Sequence, residues 1–483
     1  MRVHGILKIL GILTAWFSIT LVPPIAISVY FGDGEHNTFL FCLLLIFFIG
    51  MLLWYPVRHY QSELRFREGF LIVVLIWVVL SMMAAVPLVL LDEPELSLVE
   101  AIFESSSGLT TTGATILTNI DQLPRSALYY RQQLQWLGGM GIIVLAVAVM
   151  PALGVGGMQL YRAETPGPMK DNKLTPRIKE TAKAIWYIYL ALTVVCGVAY
   201  FAAGMDWFNA ICHAFSTIAI GGFSIHDDNL GYFQNNTIYL LAALFMILAG
   251  LNFALHFSAV RFRNVAVYLR DPEARAYIGI IFAMILLTTV MLIGHDIYLE
   301  LDETVIQGIV QTVSMVTTTG FVTTDYTVWP TFIPILLVLL SAAGGCAGST
   351  AGGIKVIRVL LLFKQGEREI SKLVHPNALI PIKLGGRAVK DDVINAVWGF
   401  LSLYLFSYLV LFIMMLATGV DLMTAFSAVS ACLNNLGPGL GDVAHDYSSI
   451  TDTGKIILTF AMLLGRLELF TLLVLVSPVF WKG

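Results

Sequence analysis

Four short stretches, each closed by glycine, lie along this chain: Thr110-Thr111-Thr112-Gly113, Ile218-Ala219-Ile220-Gly221, Thr317-Thr318-Thr319-Gly320 and Asn434-Asn435-Leu436-Gly437. None carries a carboxylate, an imidazole or a thiol. They offer backbone carbonyl oxygens, threonine hydroxyls in two of the copies, and a glycine free to enter left-handed conformations that aim a carbonyl away from a helical bond. Carbonyl oxygens gathered around an axis replace the water shell of a cation, which is how channel filters hold an ion. A single threonine-rich helix end is common and says little. Four in matching positions, two of them identical, point to an ion filter.

The elements that must position these stretches are readable around them. Each follows an apolar segment, at 97–109, 206–217, 303–316 and 421–433, that is shorter than the about 20 residues needed to cross a bilayer. Each short segment lies between two full-length ones. Span, half-length helix, glycine turn, span is therefore a unit of about a hundred residues, used four times from residue 68 onward. Irregular backbone is tolerated at membrane depth only where it lines a cavity or is buried in protein. The negative C-terminal ends of four such half-helices would favour a cation at the centre. Asp121, Asp227, Asp325 and Asp442 follow the four turns and can enrich cations at the mouth, although each alone also suits a solvated loop.

Composition sets the same frame. Of 483 residues, 58% are hydrophobic and only 12% charged, with a net charge of −4 and a mean hydropathy of +0.81. A soluble chain is about 25% charged. These values exclude disorder and a nucleic-acid binder. Ten spans are predicted, at 5–31, 36–56, 68–91, 129–155, 181–204, 236–260, 275–294, 330–363, 391–418 and 454–479. The first lacks a small-residue cleavage site after a short apolar core, so it reads as a span rather than a signal peptide. Lys and Arg gather at the ends and in alternate gaps, in 2–8, 58–67, 162–183, 261–275, 355–390 and at Lys482. Arg125, Arg131 and Lys455 lie in the opposite gaps, which are otherwise acidic. The positive-inside rule then puts both termini in the cytoplasm. The expected fold is all-α and polytopic, with a two-span domain at 1–66 and four repeats at 67–175, 176–272, 273–385 and 386–483, arranged with pseudo-fourfold symmetry around one pore.

Two features fall outside the repeat. The span from 330 is interrupted by Gly344-Gly345-Cys346-Ala347-Gly348-Ser349-Thr350-Ala351-Gly352-Gly353. Five glycines in ten residues, at roughly 1 kcal/mol lost for each, will not hold a membrane helix. Small-residue helix packing accounts for Gly344 with Gly348, but not for Gly352-Gly353 beside Ser349-Thr350, so an unwound loop below the filter is expected. By contrast Gly138, Gly139 and Gly141 read as packing. Arg466 lies mid-way along the last span, where a charge faces an interior cavity or pairs. Its neighbour Glu468 is two residues away and cannot face it on a helix. His213 and His256 read as satisfied core histidines, and the five cysteines as small core residues rather than a disulfide or zinc framework.

The four span–pore helix–span units, one glycine per filter stretch, the GGCAGSTAGG break and the LGRLELFTLLVL ending together resemble the Trk/Ktr/HKT superfamily of potassium transporters. The two additional N-terminal spans make the chain most similar to the membrane subunit of the bacterial Trk system, the TrkH type. The resemblance covers essentially the whole chain. It implies K+ uptake across the bacterial inner membrane, a homodimer embedded in membrane lipid, and a cytosolic nucleotide-binding regulatory ring of the TrkA type. It places Gly113, Gly221, Gly320 and Gly437 in the filter and K+ at Thr110, Thr111, Ile218, Ala219, Thr317, Thr318, Asn434 and Asn435. It makes 344–353 with Arg466 the gate. No organic cofactor is implied. The first filter stretch has glycine, not the serine of sodium-selective plant relatives, although a sodium-coupled or sodium-permeable member of the superfamily remains the alternative. A membrane-embedded enzyme would need clustered His, Asp, Glu or Cys and a phosphate motif such as GxxxxGKS, and neither is present. A structural subunit would have no use for four filter stretches, and voltage gating would need regularly spaced arginines.

Overall fold

The computed structural model describes residues 3–60, 66–139, 141, 178–467 and 469–481. Most of the expected basic segment, residues 162–177, and the second half of the 129–155 span lie outside these residues, as does Glu468. Helices α1 (Val3–Ile19), α2 (Val22–Phe31) and α3 (His36–Trp54) form the N-terminal pair of crossings. Four units of three parts follow. The first is α4 (Phe66–Leu90), α5 (Leu98–Leu109) and α6 (Arg125–Gly139). The second is α7 (Ile178–Ala202), α8 (Trp207–Ala219), α9 (Asn236–Ala249) and α10 (Phe253–Phe262), after which comes the short α11 (Ala266–Arg270). The third is α12 (Pro272–Gly294), α13 (Leu301–Val316), α14 (Phe332–Leu340) and α15 (Val356–Val374). The fourth is α16 (Asp391–Leu416), α17 (Leu422–Leu433), α18 (Asp452–Arg466) and α19 (Phe470–Val476).

Of the short pore helices α5, α8, α13 and α17, all but α13 begin with a side-chain cap that satisfies their first amides. Ser97 and Glu100 form a reciprocal capping box, and the carboxylates of Asp206 and Asp421 accept N–H bonds from Asn209 and from Met423 and Thr424. Their carboxylates also complement the positive end of each helix dipole. The helices stop where one residue takes a left-handed conformation: Thr111 (φ 54°), Ile220 (φ 55°), Thr318 (φ 65°) and Asn435 (φ 53°).

Packing closes the four units into a circle. The helix after each turn packs on the pore helix of the next unit: α6 on α8, α9 on α13, α14 on α17, and α18 back on α5. Between α6 and α8 a Cβ on Gly139 would lie 2.8 Å from Ala219 Cα, and inside the first and fourth units glycines also bring the second span against its own pore helix. A Cβ on Gly138 would lie 1.8 Å from the Leu109 carbonyl oxygen, and one on Gly465 would lie 2.1 Å from that of Leu433. Gly138 and Gly139 thus act in packing, as their sequence context suggested.

Three predicted spans are not continuous. Residues 236–260 form α9 and α10, bent by 94° at Gly250–Asn252. Residues 330–363 divide into α14 and α15 with a loop between them. The last span, 454–479, breaks at Leu467–Leu469 immediately after Arg466, with Leu469 at φ 45°. Hydropathy registers the apolar residues on both sides of a break and is blind to the break itself. Among the described residues six helical runs are long and apolar enough to cross a membrane, and the bent α9–α10 pair, taken as one span, would make a seventh.

The all-α fold carries one small hairpin among its helices. Lys383–Leu384 and Arg387–Ala388 pair as an antiparallel β1–β2 hairpin, turning through Gly385 and Gly386, both at positive φ, as a tight two-residue turn requires. Leu384 and Ile382 join Ile357, Leu361, Ile394 and Val397 in a small apolar cluster at the base of α15.

The Gly138 contact yields a test. Gly138→Ala forces α6 away from the first pore helix, an overpacking of about 1–3 kcal/mol, and should lower the thermal unfolding midpoint in detergent by several degrees. Gly279→Ala, at a helical glycine with nothing near its Cβ position, should leave the midpoint unchanged or raise it.

Candidate ion site and the loop beneath it

The four turns meet in a ring. A Cβ on Gly113 would lie 2.1 Å from the carbonyl oxygen of Gly221; one on Gly222, 2.1 Å from that of Thr319; one on Gly320, 2.1 Å from that of Leu436; and one on Gly437, 2.6 Å from that of Thr112. Each turn therefore abuts the next, in chain order, and the fourth returns to the first. All four glycines are at positive φ, between 79° and 97°. The ring tolerates no side chain at these points on either ground.

The second repeat is offset from the predicted register. Gly222, not Gly221, has the positive φ and the ring contact. Hydrogen bonds give the same alignment: Thr112 N–H donates to Ser107 O, Gly221 to Ser216 O, Thr319 to Ser314 O and Leu436 to Ala431 O, at 2.7–2.9 Å. Ala219, Ile220, Gly221 and Gly222 thus match Thr110 through Gly113, and Ile218 is the last-turn residue before them. Reading the first glycine of a Gly-Gly pair placed the stretch one residue early. Gly221 stands where the other repeats have Thr112, Thr319 and Leu436. Gln135 from α6 fills the vacated space, donating from Nε2 to Gly221 O (2.7 Å) while its Oε1 accepts from Ser216 and from Phe223 N–H.

The stretches are buried, with exposures of 0–1% at Thr110, Thr111, Thr112, Ile220, Thr317, Thr318, Thr319, Asn435 and Leu436. Among the described residues no N–H or O–H group donates to the carbonyls of Thr111, Thr112, Ile220, Thr318, Thr319, Asn435 or Leu436. Buried carbonyls are almost always paired. A set of unpaired ones around one ring is a place for a cation or water. Side chains brace the ring from behind: Thr110 Oγ1 to Thr112 Oγ1 and Thr317 Oγ1 to Thr319 Oγ1, both 2.7 Å, and Asn435 Nδ2 to Thr112 Oγ1 across the fourth and first repeats, 2.9 Å.

On one side of the ring lies a vestibule of about 590 Å³ with Gly113, Gly222, Gly320 and Gly437 at its floor. Asp227 and Asp325 line it as expected, joined by Asp228 and Asp446. Asp442 does not. Asp121 contacts the wall through His226 Nδ1 (2.5 Å) and the N–H of Asp227. Burial pushes the Asp121 carboxyl up, but the His226 ring and the Asp227 amide outweigh it and hold it below its ordinary value. The Thr327 hydroxyl and amide hold Asp325 low as well. Both carboxylates are ionised at neutral pH and keep the mouth negative.

On the other side, the loop between α14 and α15 touches the ring. Gly352 N–H donates to Thr318 Oγ1 (2.8 Å), Gly353 N–H to Asn434 O (3.1 Å), and Thr350 Oγ1 to Ile218 O (3.0 Å). Gly344 and Gly353 have positive φ and pack on the neck of the loop itself, Gly344 against Gly352 O. Gly345 O and Cys346 N–H bond to Val356 N–H and Gly250 O, and Gly348 O accepts from Phe253 N–H. Ser349 turns back to Cys346 O, and Ala351 O accepts from the Lys355 ammonium. Arg466 reaches the loop from the fourth repeat: Nη1 donates to Thr350 O (3.1 Å) and Nη2 to Gly138 O (2.6 Å) and Gly139 O (3.2 Å), with the guanidinium 5.7 Å from the centre of the Trp77 ring. The predicted loop and arginine are thus brought together, through the backbone of Thr350.

Residues 35–482 match the TrkH family model, described as cation transport protein. The chain belongs to the TrkH family. It is 52% identical over 482 residues, covering both chains fully, to the Trk system potassium uptake protein TrkH of Escherichia coli K12. It is 40% identical to the Trk system potassium uptake protein TrkG of the same strain, with 100% of this chain and 99% of that one covered. The crystal structure of the potassium transporter TrkH from Vibrio parahaemolyticus superposes with a TM-score of 0.91 at 48% identity, with both chains covered fully. The fold is that of a polytopic membrane transporter.

Sequence reasoning passed over the polar residues behind this TrkH-type ring. Arg131, counted with the loops, is 1% exposed and pairs with Glu104 at 2.7 Å. Its guanidinium also donates to Thr115 Oγ1 and Ser224 O, while Glu104 accepts from Ile116 N–H. The pair thus ties the vestibule segments of the first two repeats together. The signal was the position of Glu104 inside a pore helix, where a lone carboxylate needs a partner. His213 is held between Asn209 O and Ser224 Oγ, and His256 between Tyr268 OH and Leu248 O. All five cysteines are buried and unbridged.

Breaking a buried pair leaves an uncompensated charge, at about 3–5 kcal/mol. Arg131→Met should therefore lower the unfolding midpoint in detergent steeply. The double variant Arg131→Met/Glu104→Leu should lose less than the sum of the single variants, because the two side chains share one network. Additive losses would show that the two groups act apart.

Proposed function

We propose that this chain is the membrane subunit of a potassium-uptake system, passing K+ across the bacterial inner membrane through one pore per subunit, with both termini cytoplasmic. The observation that carries this reading is the closed ring of four glycine turns with unpaired, buried carbonyls beneath a negative vestibule. That ring supplies oxygen ligands to a dehydrated cation without a charged side chain, and a large, weakly hydrated ion such as K+ suits carbonyl dipoles. The transport named for its relatives supports the choice of K+ and a transport role rather than catalysis. The filter in this reading is Thr110–Gly113, Ala219–Gly222, Thr317–Gly320 and Asn434–Gly437. Vestibule carboxylates concentrate cations, and the pore helices direct their negative ends toward the site. The 344–353 loop, held by Arg466, blocks the path on the far side and is the gate. Two copies form the dimer within membrane lipid. A cytosolic nucleotide-binding subunit of the TrkA type docks on the basic cytoplasmic segments and acts on the loop.

Selectivity is the direct test. In liposomes, Gly113→Ser and Gly222→Ser should each reduce the preference for K+ and Rb+ over Na+ by about tenfold or more, because a side chain there displaces the carbonyl of the adjacent turn. Gly221→Ser, where the added atoms meet only the end of Gln135, should reduce it less. A wild-type protein that carries Na+ as well as K+ would point to the sodium-permeable branch of the superfamily.

Gating has its own test. Arg466→Gln removes three hydrogen bonds to the loop and to α6, and deletion of 347–352 removes the plug. Each should raise Rb+ flux, and together they should be less than additive because they relieve one closed state. Lower flux from a correctly inserted loop deletion would make the loop a packing element.

A further inference from the structure

Gly352 and Gly353, near the far end of the loop, are bonded to the ring, but something must also hold its neck. Glu273 is in the first turn of α12, after Pro272 and the cap residue Asp271, whose carboxylate accepts Ala274 N–H at 2.8 Å. Its side chain is directed into the protein and the residue is only 7% exposed. One oxygen, Oε1, accepts N–H bonds on both sides of the loop: from Ala347 within it at 2.7 Å, and from Ile357 in the first turn of α15, just past it, at 3.1 Å. These amides flank the nine residues that carry Thr350, Gly352 and Gly353. A buried amide left without an acceptor is unfavourable, so the carboxylate favours the conformation in which the two sides are drawn together.

We infer that Glu273 is a positioning residue that pins the neck of the loop closed. This rests on the reading of the loop as a gate. Neither the glycine pattern nor the span pattern singles out Glu273, which reads in sequence as an ordinary acidic residue in the first turn of a helix.

The test compares variants of the full-length protein in liposomes by Rb+ flux. Glu273→Ala removes the acceptor and should raise flux about tenfold, as expected when two buried amides lose their partner. Glu273→Gln keeps a carbonyl oxygen in place and should stay within about twofold of wild type. A merely structural role would not produce that rescue. In protein lacking residues 347–352, Glu273→Ala should change nothing further. If the deletion raises flux and Glu273→Ala does not, Glu273 is not the pin although the loop is the gate. If the deletion itself leaves flux unchanged, the gate reading fails and this inference with it. Should the alanine variant not insert, Glu273→Asp, too short to reach both amides, provides a second readout. Maleimide labelling of the buried Cys346, followed by mass spectrometry, should be about tenfold faster than in wild type. Equal labelling rates would overturn the inference.

Discussion

The constraint on which the structure depends is the absence of a Cβ at four points where backbone meets backbone. Gly113, Gly222, Gly320 and Gly437 each face a carbonyl oxygen of the adjacent turn at a distance no side chain would allow, in a conformation that L side chains rarely adopt. This brings four non-helical strands together around one centre. Everything outward follows from holding those strands there. The pore helices end at a common depth, the packing helices lose their own side chains at Gly138 and Gly465 to admit the helix ends, and the circle closes when α18 returns to α5. Four copies of one unit give four equivalent strands without four chains, and they leave each copy free to diverge.

That divergence is visible one turn back from the ring. Glu104, His213, Gln311 and Ala428 occupy the same position of the four pore helices, six residues before the first residue of each filter stretch. In the first repeat the carboxylate holds Thr115, Ile116 and Arg131; in the second the imidazole holds Ser224. In the third the amide of Gln311 has no partner among the described residues, and Thr323 bonds instead to Gln307. The fourth has no polar group at that position and braces its strand through Ser427 with Leu440 and Tyr447 with Gly437. Low local dielectric strengthens each of these contacts and penalises each missing one. The backbone of the ring is near fourfold, while the stiffness behind each strand is not.

How much of this was legible in the sequence follows from what each pattern encodes. Apolar runs mark material at membrane depth, so the order of spans and half-helices was readable, to within two residues at the starts and ends of most pore helices. Hydropathy does not distinguish a helix from two helices with a break, which is why 236–260 and 454–479 read as continuous. Glycine marked the turns, but a Gly-Gly pair is ambiguous by one residue. Only the conformations of Ile220 and Gly222 and the bond from Gly221 N–H to Ser216 O fix the register. Long-range pairs were not readable. Nothing in the sequence around Gln135 says that its amide completes a strand 86 residues away, and nothing around Arg131 says that it faces Glu104 rather than water. The loop was legible because five glycines in ten residues exclude a helix there, and Gly138 and Gly139 because small residues within an apolar span mark close packing; their partners were set by tertiary geometry.

The loop and the ring are one connected object. Gly352 is bonded to Thr318 and Gly353 to Asn434, and the same Asn434 is held from outside by Tyr404 and Ser341. Ser341 lies at the end of α14, where the loop begins. A displacement of the loop therefore takes bonds from the third and fourth strands, takes the Thr350 bond from Ile218 just before the second, and shifts the support of Asn434, while the Glu104–Arg131 and His213 braces stay in place. Arg466 adds to this asymmetry, because it joins the loop to α6 of the first repeat without touching the ring. On the gate reading proposed above, a loop bonded to the third and fourth strands cannot leave without loosening those two. In this architecture the ring is therefore at its most rigid when the loop is in place. The state that would conduct rests chiefly on the polar network behind the first and second strands to keep its carbonyls in register.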